Sequence, residues 1–169
     1  MDSTIFKKRV DKEIKKFLGI KVGKKYVWDY PELLIFIDIQ RSEFKESAFF
    51  INVSYFIKSL SAEVERSQIE YLGDIVYRFH SGTNEVEYND CFLLTEIKLI
   101  VDLETILNRE LNKFINEVRS VEDLKTFIKK YKVSRPFIKL SVEKFLWNKE
   151  KGKPTKTGIL SFLFKRTKN

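Results

Sequence analysis

Residues 25 to 58 restrict the fold more than any other part of this sequence, because runs of alternating side chains follow one another with short connections. Isoleucine, valine and aromatic residues dominate these runs, and period-two alternation of such residues predicts β-strands. Connections this short favour antiparallel neighbours, since parallel strands need a much longer crossover. The predicted strands are Lys25 to Tyr30, which Pro31 closes, then Leu34 to Arg41 and Phe49 to Lys58, which Ser42 to Ser47 connect.

Two later segments show the same alternation and extend the predicted sheet. Asp74 to His80 alternates apolar with other residues, and Phe92 to Val101 does so less regularly. Successive side chains of a strand point to opposite faces, so each strand has one apolar face and one mixed face. We therefore expect helices to cover the apolar side of a sheet of about five strands.

Helical periodicity marks the rest of the chain, where apolar residues recur at spacings of three and four. Glycine can adopt the left-handed conformation that closes a helix, and Asp, Ser or Thr can cap its first turn. The expected helices are an N-terminal one capped by Asp2 or Ser3 and closed by Gly19, one from Asp102 to Val118, one from a capping box at Ser120 and Asp123 to Tyr131, and one from Ser141 to Asn148.

These elements predict an α+β fold in the order αβββββααα, with the N-terminal and C-terminal helices packed on one face of an antiparallel sheet. A chain of 169 residues has the size of one ordinary domain. We assign residues 1–148 to a single α+β domain. Residues 149–169 form a basic C-terminal segment that either stays free or docks on the same domain.

Charge is distributed unevenly along the chain, although the total is only +8. Residues 1–30 carry +5, residues 31–124 carry −9 and residues 125–169 carry +12. The lone cysteine, Cys91, cannot form an intramolecular disulfide and fits a reducing compartment. The N-terminus lacks the pattern of a secretory signal, and no apolar run is long enough to cross a bilayer. We therefore predict a cytoplasmic location.

Several kinds of chemistry are disfavoured by residue counts. His80 is the only histidine, which excludes multi-histidine metal sites. A nucleophile and base pair of Cys91 with His80 has no support in their spacing, and a free cysteine usually packs as a small hydrophobe. The six glycines are scattered and form no phosphate-binding loop. We predict no catalytic residue, no cofactor and no metal, and favour a protein that is not an enzyme.

The mixed face of the predicted sheet is the first candidate binding surface. Its aromatic residues Phe36, Phe50 and Phe56 stand among hydrogen-bonding groups, a combination that suits a protein partner or single-stranded nucleic acid. The competing interpretation is that the polar groups satisfy one another beneath the C-terminal segment. The candidate binding residues are Asp38, Gln40, Arg41, Asn52, Ser54, Arg78 and His80.

The basic C-terminal segment is the second candidate surface, and three interpretations remain open. Its cations could neutralise phosphates and give steeply salt-dependent binding to nucleic acid. They could hold residues 159–164 against an anionic membrane, or the segment could pack on the acidic middle of its own chain. The candidate polyanion contacts are Lys149, Lys151, Lys153, Lys156, Lys165, Arg166 and Lys168.

Residues 4–131 contain short motifs that resemble a known bacterial family, domain of unknown function forty-three-oh-four. The opening motifs are residues 6–8, residues 17–21 and Trp28. The most specific stretch is residues 39–44 followed by residues 49–53, and Arg78 and residues 114–124 match later pieces. Where the family often has a histidine before its arginine, this chain has residues 75–77 without one. The resemblance implies a fold and leaves the function open.

From the sequence we expect a non-catalytic protein-binding domain of a bacterial cytoplasm. A concrete form is an immunity or antitoxin-like protein that blocks a partner by docking the mixed sheet face. The alternative is a nucleic-acid-binding protein that uses the basic C-terminal segment together with the N-terminal lysines.

Overall fold

The computed structural model of the chain describes residues 1–43, 45, 47–60, 73–82, 90–131 and 136–147, with the backbone alone at residues 97–100 and 140. The α-helices in these ranges are α1 (Ser3–Lys16), α2 (Ile97–Leu111), α3 (Val121–Lys130) and α4 (Leu140–Trp147). The strands are β1 (Ile20–Val22), β2 (Lys25–Asp29), β3 (Leu33–Arg41), β4 (Ala48–Ile57), β5 (Ile75–Arg78), β6 (Phe92–Leu93) and β7 (Phe137–Ile138). A 3₁₀ turn, Lys58–Leu60, follows β4, and a π-helical turn, Asn112–Asn116, continues α2.

The strands in the described ranges form one antiparallel sheet in the order β1-β2-β3-β4-β5-β7, with β6 paired to β4 off this path. The first four strands follow chain order, so the predicted meander is confirmed and extended by one strand at its start. The α+β class is also confirmed. Within the described ranges there are seven strands where five were expected, because β1 and β7, of three and two residues, are too short to produce a periodic signal.

One face of the sheet carries the hydrophobic core. Residues of all four described α-helices pack there, including Val10 of α1, Leu107 of α2, Phe127 of α3 and Val142 of α4. The strand residues in this core occupy alternate positions, such as Ile51, Val53 and Tyr55 of β4, each fully buried. The expectation that helices pack on one face is therefore confirmed. We call this side the covered face.

The turn after α1 differs from its prediction. Leu18, and not Gly19, has the left-handed conformation, with φ 62°, and the Leu18 side chain is 84% exposed. Gly19 is required for a different reason: a Cβ there would lie 2.7 Å from Cζ2 of Trp28. Trp28 also donates from Nε1 to the carbonyl of Phe17 at 2.7 Å. The Trp28 indole therefore fixes the backbone of this turn, through close packing on Gly19 and the hydrogen bond to Phe17.

The prediction of a strand from Phe92 to Val101 is wrong. Only Phe92 and Leu93 form a strand, and α2 begins at Ile97. Asp102 consequently lies inside the helix and does not cap it, while Glu96 occupies the N-cap without a side-chain hydrogen bond. Apolar, β-branched residues favour strands only weakly, and tertiary packing overrides that preference.

The later helices agree with their predictions. The Ser120 hydroxyl accepts a hydrogen bond from the amide of Asp123 at 3.1 Å, as the capping box requires. Its helix ends at Lys130, and the last helix spans Leu140–Trp147. Between α2 and α3, the π-helical turn is anchored to the sheet because the Tyr55 hydroxyl donates to the carbonyl of Phe114 at 2.8 Å.

Within the part of the chain that the structure describes, no helix is both long enough and apolar enough to cross a membrane. The basic C-terminal segment lies outside the described residues, as does Asn148.

Candidate functional site on the open face

The face opposite the core carries most of the predicted binding residues. We call it the open face, because the described helices all pack on the other side of the sheet. Strand register sets three predicted residues side by side: Asp38 of β3 pairs with Asn52 of β4, which pairs with Arg78 of β5. Cross-strand neighbours on one face lie within contact distance. Three strands therefore contribute one row of polar side chains.

Asn52 links this row through its amide group. Its Oδ1 accepts a hydrogen bond from Nε of Arg78 at 3.2 Å, and its Nδ2 lies 3.3 Å from Oδ2 of Asp38 and 3.3 Å from Oε1 of Gln40. Asn52 is only 9% exposed, and a buried amide must find partners to offset its lost hydration. We call Asp38, Gln40, Asn52 and Arg78 the polar ladder. The ladder shows that these groups do satisfy one another, as the competing interpretation expects.

Arg78 is the exposed charged residue of the ladder. Its Nη1 donates to Oδ2 of Asp90 at 3.0 Å, and its guanidinium carbon lies 4.3 Å from the centre of the Phe50 ring. The side chain is still 43% exposed. A guanidinium has five N–H donors, and the contacts with Asn52 and Asp90 use two of them. The group is thus held in one orientation with donors left over.

Apolar side chains flank the polar ladder on the same face. Phe36 and Phe56 meet edge to face, with ring centroids 6.3 Å apart, and both are less than a tenth exposed. Beyond them Val76 of β5 pairs with Phe137 of β7, whose side chain is 40% exposed. The open face therefore has a polar half around Arg78 and an apolar half that ends at Phe137.

Three predicted residues stand apart from the polar ladder. Ser54 is on the open face between Phe36 and Val76, is 8% exposed, and closely approaches Gly73. Arg41 pairs with Phe49, and alternation along β3 puts it on the side opposite Gln40. His80 lies beyond the end of β5, and its amide donates to Oε2 of Glu110 at 3.0 Å.

Glu110 and Arg109 of α2 fix the segment after β5, and sequence reasoning missed both. Glu110 is 2% exposed, and its Oε1 accepts a hydrogen bond from Nε of Arg109 at 2.9 Å. Arg109 also donates to the carbonyl of His80 at 3.1 Å and to that of Gly82 at 2.9 Å. Adjacent charged residues in a helix look like ordinary surface residues, so no sequence signal distinguished them. Asp90 was missed as well, because it lies outside any periodic run.

Burial shifts the pKa values of two titratable groups near this segment. Burial lowers the pKa of His80, which keeps the imidazole neutral to lower pH. Burial also raises the pKa of the Cys91 thiol, and the thiolate is the nucleophilic form of cysteine. Among the described residues no group of three or more His, Cys, Asp or Glu side chains is arranged to hold a metal ion.

The second candidate surface cannot be placed. All of its predicted contacts, from Lys149 to Lys168, lie outside the described residues.

The fold and this face define an α+β protein with one antiparallel sheet, covered by helices on one side and carrying a polar ladder on the other. The sequence model of the family described as Domain of unknown function (DUF4304) matches residues 16–134. The chain belongs to this family. No curated protein and no solved structure matches it.

Proposed function

We propose that this chain is a non-catalytic protein-binding domain that docks a partner on its open face. The observation that carries the proposal is the position of Arg78, oriented by Asn52 and Asp90 and still 43% exposed on a face without a described helix. Arginine and aromatic residues are enriched in the centres of protein interfaces. Arg78 above Phe50 presents both kinds of group at one place.

The polar ladder supports this proposal through preorganisation. A flexible arginine loses side-chain entropy when a partner immobilises it, at roughly 0.5–1.5 kcal/mol for each side chain ordered. Two hydrogen bonds and the Phe50 ring already hold Arg78, so a partner would meet an ordered guanidinium. The remaining N–H donors would suit a carboxylate or a row of backbone carbonyls on that partner.

A finer form of the proposal concerns the biological setting. We place the chain in a bacterial cytoplasm, because its single cysteine, Cys91, fits a reducing compartment. An immunity or antitoxin-like role fits a small domain that acts by covering a partner surface. Such a role needs binding alone, and the raised pKa of the Cys91 thiol disfavours its nucleophilic thiolate form.

Site-specific cross-linking in the source cells tests this proposal. A photoreactive amino acid at Gln40, an exposed member of the ladder, should form one discrete adduct, whereas the same group at Lys129, on the outer surface of α3, should not. Arg78→Glu should remove the Gln40 adduct, and Lys129→Glu should leave it. An adduct that survives Arg78→Glu would move the binding site elsewhere, and equal labelling from both positions would contradict a specific face.

Nucleic-acid binding is the second candidate, and the charge of +12 over residues 125–169 favours it. Each neutralised phosphate releases counterions, so retention on heparin or on a labelled oligonucleotide should fall steeply between low and moderate salt. Deletion of residues 149–169 should abolish that retention. Absence of binding at low salt would eliminate this candidate, and binding that survives the deletion would remove the C-terminal segment from it.

A further inference from the structure

We infer that β1 is a docking edge for an extended, acidic segment of a partner protein, which adds to the sheet as a further antiparallel strand. The inference rests on the proposed function, and it names the conformation and charge of the partner. Three features of the β1 edge carry it: free backbone groups, exposed apolar side chains at strand spacing, and unpaired positive charge.

The backbone of β1 has one residue whose hydrogen-bonding groups face outward. The amide of Tyr30 donates to the carbonyl of Leu33 at 2.9 Å, so alternate residues of β2 bond toward β3 and the others toward β1. Val27 and Lys25 are in the second set, and their partners are Ile20 and Val22. Lys21 lies between those partners and therefore directs its N–H and C=O away from the sheet. A further strand can bond to both groups.

Side chains of this edge leave an apolar strip on the open face. Ile20 is 68% exposed and Val22 is 60% exposed, and the two neighbour Val27 and Lys25 of β2. Leu18, in the turn before β1, is a further exposed apolar side chain, at 84%. Side chains at every second position match the spacing of side chains on an added strand. The strip extends the open face as far as β1, the edge strand of the sheet.

Natural sheet edges are usually protected by a charged side chain, often a lysine, or by a proline. Lys21 is in the position of such a guard, but its Nζ is drawn back toward α1. It lies 3.2 Å from Oδ1 of Asp11 and 5.3 Å from the centre of the Tyr26 ring. The guard is thus held over the covered face, and β1 contains no proline. The edge stays accessible.

The charge near β1 indicates what kind of strand could pair with this edge. Residues 11–29 contain six lysines against Asp11, Glu13 and Asp29, a net charge of +3. Lys12 and Lys24 are exposed and make no ion pair with any residue that the structure describes. A second copy would bring an equal positive charge to this edge, and juxtaposed like charges disfavour association. An acidic strand with alternating aliphatic residues complements both the charge and the strip.

The test uses the full chain and a labelled peptide of alternating valine and glutamate, measured by fluorescence anisotropy at submicromolar peptide. Lys21→Pro removes the outward amide, and an edge strand tolerates proline where its N–H faces solvent. Lys21→Ala removes the same side chain but keeps the amide. We expect Lys21→Pro to weaken binding at least about tenfold relative to Lys21→Ala. Equal binding by the two variants, or no binding by the unmodified chain, would overturn the inference.

Peptide variants keep the test decisive if Lys21→Pro does not fold. Two peptides N-methylated at complementary sets of alternate residues block opposite edges of the added strand, so one should lose binding and the other should retain it. Retention by both would contradict strand addition. Two further outcomes would assign the β1 edge to a different occupant and overturn the inference. They are self-association of the chain that Lys21→Pro abolishes, and sedimentation with phosphatidylserine vesicles that Leu18→Ser abolishes.

Failure here and failure of the proposed function are distinguishable. If the Gln40 adduct forms but the peptide does not bind, the open-face proposal stands and strand addition falls. If neither occurs, both proposals fall.

Discussion

The two faces of β4 have different neighbours. Ile51, Val53 and Tyr55 point into the core and are fully buried, whereas Phe50 and Asn52 point to the open face and contact Arg78. On the covered face, each of these side chains packs against side chains of the helices. Water does not reach this core, so a deleted side chain leaves a cavity. On the open face Asn52, Ser54 and Phe56 are also less than a tenth exposed, and Phe50 is half-buried. A change of face by one residue therefore exchanges contacts in the hydrophobic core for contacts with the polar ladder.

The largest expected difference between the faces comes from removing one phenylalanine from each. Phe114 is fully buried and packs 5.4 Å from the ring centres of Tyr77, Phe79 and Phe127, so Phe114→Ala should reduce the free energy of unfolding by about 3–5 kcal/mol. Phe50→Ala, the matched change on the open face, should cost about 1 kcal/mol or less. Urea denaturation measures both. Similar losses would show that the open face is also packed.

A smaller difference is expected within the covered face, between two buried tyrosines. The Tyr55 hydroxyl donates to the carbonyl of Phe114, and Tyr55→Phe should cost about 1 kcal/mol because that hydrogen bond is lost. The Tyr77 hydroxyl is buried and has no hydrogen-bond partner among the described residues. Tyr77→Phe should then leave thermal stability unchanged or raise it. A clear loss in Tyr77→Phe would reveal a partner for that hydroxyl.

On the open face, the Arg78–Asp90 pair should contribute little to folding. Both side chains are more than a third exposed, and exposed pairs typically contribute about 0.2–1 kcal/mol. A double-mutant cycle of Arg78→Ala and Asp90→Ala should give a coupling energy in that range. A much larger coupling energy would show that the polar ladder stabilises the fold, and it would weaken the assignment of Arg78 to binding.

The smallest expected effect on stability comes from titrating one carboxylate, Asp11, with acid. A hydrogen bond from Lys15, reinforced by Tyr26 and Lys21, lowers the pKa of Asp11 from 3.8 to about 2. The ionised carboxylate therefore stabilises the fold above the unfolded pKa, and that contribution is lost as the pH falls from about 4 to about 2. Asp11→Asn should flatten this part of the stability profile. An unchanged slope would assign acid sensitivity to other carboxylates.

Much of the fold was predictable because its information is local. The strands of the meander were located within a residue or two, since alternation in Leu33–Arg41 and Ala48–Ile57 directly reflects the two faces. Alternation and antiparallel neighbours then put Asp38 and Asn52 on one face, and the structure pairs them. By contrast, Ile97–Leu111 begins with strand-favouring residues and without a side-chain cap. Only packing of Leu103 and Leu107 against the sheet makes the whole segment helical, and the sequence does not reveal that packing.

The candidate site was predictable to the same extent. Asp38, Gln40, Asn52 and Arg78 lie in regular strands, and register alone brings them together. His80 falls outside because β5 ends two residues earlier and Glu110 binds its amide. The exposed edge at Ile20 and Val22 gave no signal, because a three-residue strand cannot show periodicity. Side-chain contacts between distant elements account for most of what was missed.

The order of the strands along the chain also has a kinetic consequence. Each of the first three pairings in the sheet joins strands that are consecutive in sequence, whereas β7 pairs with β5 across residues 79–136. Forming local pairs closes short loops and carries a low entropy cost, so the meander can form early in folding. β7 contributes only two residue pairs, supported by the Lys139–Asp74 contact. We expect the amide hydrogens of β7 to exchange with solvent long before those of β3. The β7 edge should therefore be the first part of the sheet to open.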